Sequence, residues 1–125
     1  MAEAPTHNVL NWFDIPVTNL DRAIRFYGDI LGIELQRYGT STIEGALFLV
    51  DGLGGTLLLG EGFIPSHQGS VVYLNGGADL NTVLERVSDA GGKVLLEKTM
   101  IPGNRGYFAY FEDTEGNRIG LQSPV

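Results

Sequence analysis

The chain has 125 residues, eight of them basic and fifteen acidic, for a net charge of −7, and it contains no cysteine. That length is one domain's worth, and 43% apolar residues can fill a core. The acidic balance argues against a nucleic-acid partner, and the missing thiols exclude disulfides, thiolate nucleophiles and Cys-ligated metals.

The start, Met1 to Pro5, lacks the basic and apolar regions of a signal peptide. No later stretch is apolar over enough residues to span a bilayer. The expectation is a cytoplasmic chain with no membrane partner. Asn11 to Thr18 reads as an extended run ending before a helix. Leu20, Ala23, Ile24, Tyr27, Ile30 and Leu31 then follow the spacing of one buried helical face. Thr18 and Asn19 are N-cap candidates, Asp21 completes a partial capping box, and Gly32 stops the helix. Strand signals follow at Glu34 to Tyr38, Thr42 to Val50 and Thr56 to Leu59, with Asp51-Gly52 and Gly54-Gly55 as turns.

After a linker at Glu61 to Gln68, the pattern returns. Ser70 to Leu74 is strand-like, and Leu80, Val83, Leu84, Val87 and Ala90 form a second helical stripe, stopped by Gly91-Gly92. Leu20 matches Leu80, Ala23 matches Val83, Tyr27 matches Val87 and Gly32 matches Gly92, all at one offset. Strand signals at Lys93 to Glu97, Tyr107 to Phe111 and Asn117 to Gln122 complete the second half, with Asp113 to Asn117 as its last hairpin. The order is βαβββ, twice. The fold expected is α+β: one domain over residues 1–125, with module one at about 9–60 and module two at about 69–122.

Two runs carry a resemblance. Gly106 to Leu121 contains Asp113-Thr114-Glu115-Gly116-Asn117-Arg118-Ile119-Gly120-Leu121. This resembles the signature of the vicinal oxygen chelate superfamily, which includes glyoxalases, bleomycin resistance proteins and extradiol dioxygenases. In that signature Asp-Pro-x-Gly-Asn is followed by a variable residue, an apolar residue, Glu and Leu. Thr114 stands in the Pro place and Gly120 in the Glu place. Val17 to Gly32, with its Phe26-Tyr27 pair and Leu31-Gly32 end, is similar to the family's strand-to-helix junction. The resemblance spans roughly residues 9 to 122. It implies strands curled around an open barrel-like cleft. It also implies a homodimer with residues from both chains at the clefts; the alternative is a monomer whose two halves pair with each other.

Metal-dependent members supply His and Glu ligands from the first and last strands of each half. Carried over, those positions fall at Trp12, Val72, Gly120 and, near its hairpin glycine, Leu59. None can ligate a metal through its side chain. The expectation is therefore a cleft without metal or cofactor. His7 and His67 are the remaining imidazoles. They read either as a relocated metal pair or as residues lying ahead of each half's first strand, about 16 Å from the ligand positions.

Alternation along a strand puts Trp12, Asp14 and Pro16 on one face, and Arg118, Gly120 and Gln122 on another. If Trp12 marks the cleft, Asp14 reads as a general base or as a structural carboxylate paired with Arg118 or a backbone amide. Trp12 reads as a stacking surface or as filler for the metal's space. Tyr73, Tyr107 and Tyr110 could belong to core, cleft or interface. Two functions follow. One is a bleomycin-resistance-like binder of a small planar or cationic molecule, using Trp12, Asp14, Leu59, Val72, Arg118, Gly120 and Gln122. The other is a divergent lyase-like or isomerase-like enzyme with Asp14 as the catalytic base or with a relocated metal.

Overall fold

Residues 9–125 are described by a computed structural model. His7 lies outside the described residues. Module one contains β1 (Phe13–Pro16), α1 (Leu20–Leu31), β2 (Leu35–Gly39), β3 (Ile43–Phe48) and β4 (Gly55–Gly60). Module two contains β5 (Tyr73–Asn75), α2 (Asn81–Val87), β6 (Lys93–Met100), β7 (Tyr107–Glu112) and β8 (Arg118–Ser123). The duplicated βαβββ order is thus present. The strands form two separate four-stranded sheets, ordered β1-β4-β3-β2 and β5-β8-β7-β6. In each sheet the first and last strands of the module pair in parallel and the other pairs are antiparallel.

The side-chain oxygen of Asn19 accepts from the Arg22 N–H at 3.0 Å and caps α1, and Gly32 ends the helix in a left-handed turn. The second helix is shorter than its apolar stripe implies, because residues 88–91 form a turn rather than a further helical turn. The first strands are also shorter than their sequence signals. Pro16, which has no N–H to donate, ends β1, and β5 begins only at Tyr73.

Helices α1 and α2 pack on each other, and one apolar cluster spans both modules. Phe26 and Tyr27 of α1 meet edge-on at 5.0 Å. Phe26 also meets Phe111 of module two at 5.8 Å, and Tyr27 meets Phe48 at 5.7 Å. Each sheet turns one face to this helical centre and leaves the other open. Among the described residues, no helix is long and apolar enough to cross a membrane.

Candidate functional site: the open sheet faces

Register decides which side chains reach the open faces. Paired residues of parallel strands point the same way, and Ile15, Leu57, Leu74 and Leu121 belong to the helix-side core. Asp14 and its partner Thr56 therefore share the open face of module one, and Tyr73 and its partner Gly120 share that of module two.

Asp14 Oδ1 accepts from Thr56 Oγ1 at 2.8 Å and from Trp12 Nε1 at 3.2 Å. The carboxylate is thus held by a hydroxyl and an indole. It makes no ion pair with Arg118. Trp12 is 47% exposed, so its ring presents a flat apolar surface beside a negative charge.

In module two a Cβ placed on Gly120 would lie 2.7 Å from Cε2 of Tyr73 and 2.9 Å from its Cγ. The tyrosine ring lies across the glycine, in the space where a side chain would begin. The Tyr73 hydroxyl meets the Tyr110 hydroxyl at 2.7 Å. Partial burial pushes the Tyr73 phenol up to about 12, the Tyr110 hydroxyl adding to the shift and Arg118 opposing it. Phe108 packs edge-on against Tyr110 at 5.4 Å, and the Arg118 guanidinium sits 5.7 Å from the Tyr110 ring centre. Tyr73, Ile101, Phe108, Tyr110 and Gln122 line a depression of about 310 Å³. A smaller pocket, about 110 Å³, lies at the junction of the modules and brings Asp14, Val72 and Arg118 to one wall system with Ser66, Ser70 and Asn117.

The positions proposed from sequence divide accordingly. Trp12 and Asp14 lie together on one open face; Arg118, Gly120 and Gln122 lie on the other. Leu59 turns toward the helices instead, and Thr56 and Leu58 point to the other side of β4, where both are buried. Val72 likewise packs against the core, though it also touches the junction pocket, and Tyr73 holds the open face. The shift at Val72 has its cause in the strand-to-helix connections. The core residue of the first strand precedes the first buried residue of the helical stripe by five positions in module one, Ile15 to Leu20, but by six in module two, Leu74 to Leu80. An offset taken from the helices is therefore one residue out on the strands, and one residue reverses a strand's faces. Tyr73 is the open-face residue that this offset concealed; Thr56, Phe108 and Tyr110 point away from the helices without lying at any carried-over position. Tyr107 belongs to the core side.

These residues do not fit the metal that the fold's chelating members hold. The four carried-over positions offer an indole, two aliphatic side chains and a glycine roofed by a phenol ring. Among the described residues, no three His, Asp or Glu side chains come together as a ligand set. His67 is engaged elsewhere, its Nε2 lying 2.7 Å from Glu112 Oε1.

The hairpin motif has a different use. Glu115 reaches across to module one, accepting from the backbone N–H groups of Thr18 (2.9 Å) and Asn19 (2.8 Å) and pairing with Arg22 Nε at 2.7 Å. Burial alone would raise its carboxyl. Arg22, the two N–H groups and the Thr114 hydroxyl instead hold it down at about 2. Asp113 accepts from Tyr27 Oη at 2.6 Å and from Asn117, whose amide donates to the Pro16 carbonyl at 2.8 Å. Burial, then Asp113, pushes the Tyr27 phenol well up.

Similar proteins agree with this architecture. A "Glyoxylase-like domain-containing protein" of Didymella fabae is 29% identical over 116 residues, covering 89% of this chain and 90% of that protein. Glyoxalase I from Zea mays superposes with a TM-score of 0.70 at 23% identity, over 90% of this chain and 45% of the maize chain. The present chain thus spans less than half of that enzyme's length. An antibiotic-binding protein from a Streptomyces species superposes with a TM-score of 0.69 at 23% identity, covering 98% of this chain and all of that one (100%). At such identities these structures speak to the fold alone. Residues 9–121 match the profile of the Glyoxalase/Bleomycin resistance protein/Dioxygenase superfamily, and with the duplicated modules in place the chain belongs to that superfamily.

Proposed function

We propose that this protein binds a small planar or cationic molecule on its open sheet faces, without a metal, in the manner of a drug-sequestering rather than a metal-dependent member of the superfamily. The observation that carries this is the Tyr73 ring lying over Gly120 and hydrogen-bonded to Tyr110. At the position where a chelating member places a carboxylate, this chain builds an aromatic floor. Trp12 beside Asp14 adds a second flat surface, suited to a cation. The full-length likeness to an antibiotic-binding protein supports the same reading.

The competing enzyme reading needs Asp14 to act as a base. Its Oδ1 is already engaged by two donors, the Thr56 hydroxyl and the Trp12 indole. Calorimetric screening of planar and cationic compounds, paired with turnover assays, separates the two. The expected result is saturable binding without turnover. No activity is expected on the methylglyoxal–glutathione hemithioacetal with added Ni or Zn, since that reaction needs a metal to hold the enediolate oxygens. Turnover abolished by Asp14→Asn would overturn the binder reading.

A two-fold homodimer belongs to the same proposal. Trp12, Tyr38, Tyr73 and Leu96 stand exposed on the open faces, which a second copy would partly cover. Light scattering over a concentration series should give a mass near twice the 13.5 kDa chain. A single-chain mass throughout would remove the dimer.

A further inference from the structure

The open face of module two carries a positive charge, that of Arg118, which pairs with no described carboxylate. Arg118 lies directly across the ladder from Glu112, the carboxylate placed to pair with it. Glu112 instead engages His67 at 2.7 Å. Arg118 makes no ion pair with any described residue, and its buried Nε has no hydrogen-bond partner. In a chain of net charge −7, a guanidinium left without a carboxylate is a cost that a bound anion would remove. The same guanidinium lies against Tyr110, the centre of the aromatic floor.

The hydroxyl pair adds a second donor. One of the two hydroxyl protons lies between Tyr73 and Tyr110, and the other is free to point outward. With its phenol pushed up to about 12, Tyr73 keeps its proton at neutral pH. Flat rings and an O–H donor thus line a depression of about 310 Å³, and the unpaired guanidinium of Arg118, which walls the junction pocket, lies 5.7 Å from the ring centre of Tyr110.

We propose that module two's open face is a subsite for a planar aromatic acid, its ring on Tyr73, Tyr110 and Phe108 and its carboxylate on Arg118. This rests on the small-molecule reading above and sharpens it: the module-two face selects an aryl anion, whereas a cation would belong to Trp12 and Asp14 on module one. Arg118 is the residue that determines specificity.

The test is calorimetric titration of the full chain with three naphthalene probes of one shape: 2-naphthoate, 2-naphthylmethanol and 2-naphthylmethylammonium. The naphthoate should bind best. Arg118→Gln should weaken naphthoate about tenfold or more, as loss of a charged hydrogen bond does, and leave the alcohol unchanged. Tyr110→Leu should weaken naphthoate and alcohol alike. Arg118→Lys keeps the charge and should retain part of the preference, which guards against a fold defect in the glutamine variant; melting curves of both check it further. Tighter binding of the ammonium probe, or unchanged naphthoate affinity in Arg118→Gln, would overturn the proposal. If the ammonium probe binds and is lost in Asp14→Asn, the general small-molecule reading survives and only this inference falls. If no probe binds, this inference falls and the small-molecule reading loses its support on the module-two face.

Discussion

Gly120 shows how a single residue can define a surface by what it lacks. The pairing of β5 with β8 sets Tyr73 beside it, and the ring occupies the volume of the missing side chain. Gly120→Glu is therefore not a restoration of a chelating site. It should push Tyr73 off the sheet, break the contact with Tyr110 and lower stability by about 1–3 kcal/mol, the usual range for overpacking. Urea titration measures that loss. Elemental analysis after dialysis against Zn or Ni should find no stoichiometric metal in the variant, and one equivalent bound would contradict the steric argument. Asp14 is the corresponding residue of module one, and Thr56 answers it there as Gly120 answers Tyr73.

Among the elements, the β7–β8 hairpin is tied to the start of α1 through Glu115. Glu115→Gln removes the charge from a side chain that is fully covered, while Arg22 and two N–H groups still point at it. The expected loss is about 1–3 kcal/mol by denaturant titration. The pH dependence has a definite sign. The carboxyl is held at about 2 in the folded protein, below its ordinary 4.5, so this contribution is complete above the unfolded value and disappears as pH falls from about 4.5 toward 2. Wild type should lose stability faster than Glu115→Gln across that window. Equal slopes would show that the carboxylate does not carry it. The helices were legible in the sequence because a 3.6-residue stripe survives small errors of register: Leu20, Ala23, Tyr27 and Ile30, and Leu80, Val83, Leu84 and Val87, are all buried. The strand faces were less so. Val72 was placed through a helix offset that the longer β5–α2 connection shifts by one, and Leu59 through its hairpin glycine, a position that packs on the helix side. The role of Glu115 was hidden too, because its partners lie more than ninety residues away.

At the scale of the whole molecule, one core and the ion pair of half-exposed Arg22 with covered Glu115 join the two modules, whereas the connecting segment 61–68 is mostly exposed. Cutting a protease site inserted after Gly62 should leave the two fragments eluting as one species on gel filtration. Addition of Glu115→Gln should lower the denaturant concentration at which they separate. Fragments that part without denaturant would place the modules' cohesion in the linker rather than in the core. The Tyr73–Gly120 pair has a further consequence for the history open to such a chain. A large residue at either position is compatible with a small one at the other, but two large residues are not. Regaining a carboxylate on β8 by single substitutions must therefore pass through either a crowded sheet or one stripped of its aromatic floor. The pair acts as a ratchet: once the ring has settled over the glycine, the shortest way back to chelation runs through a less stable protein or one that has lost its binding surface.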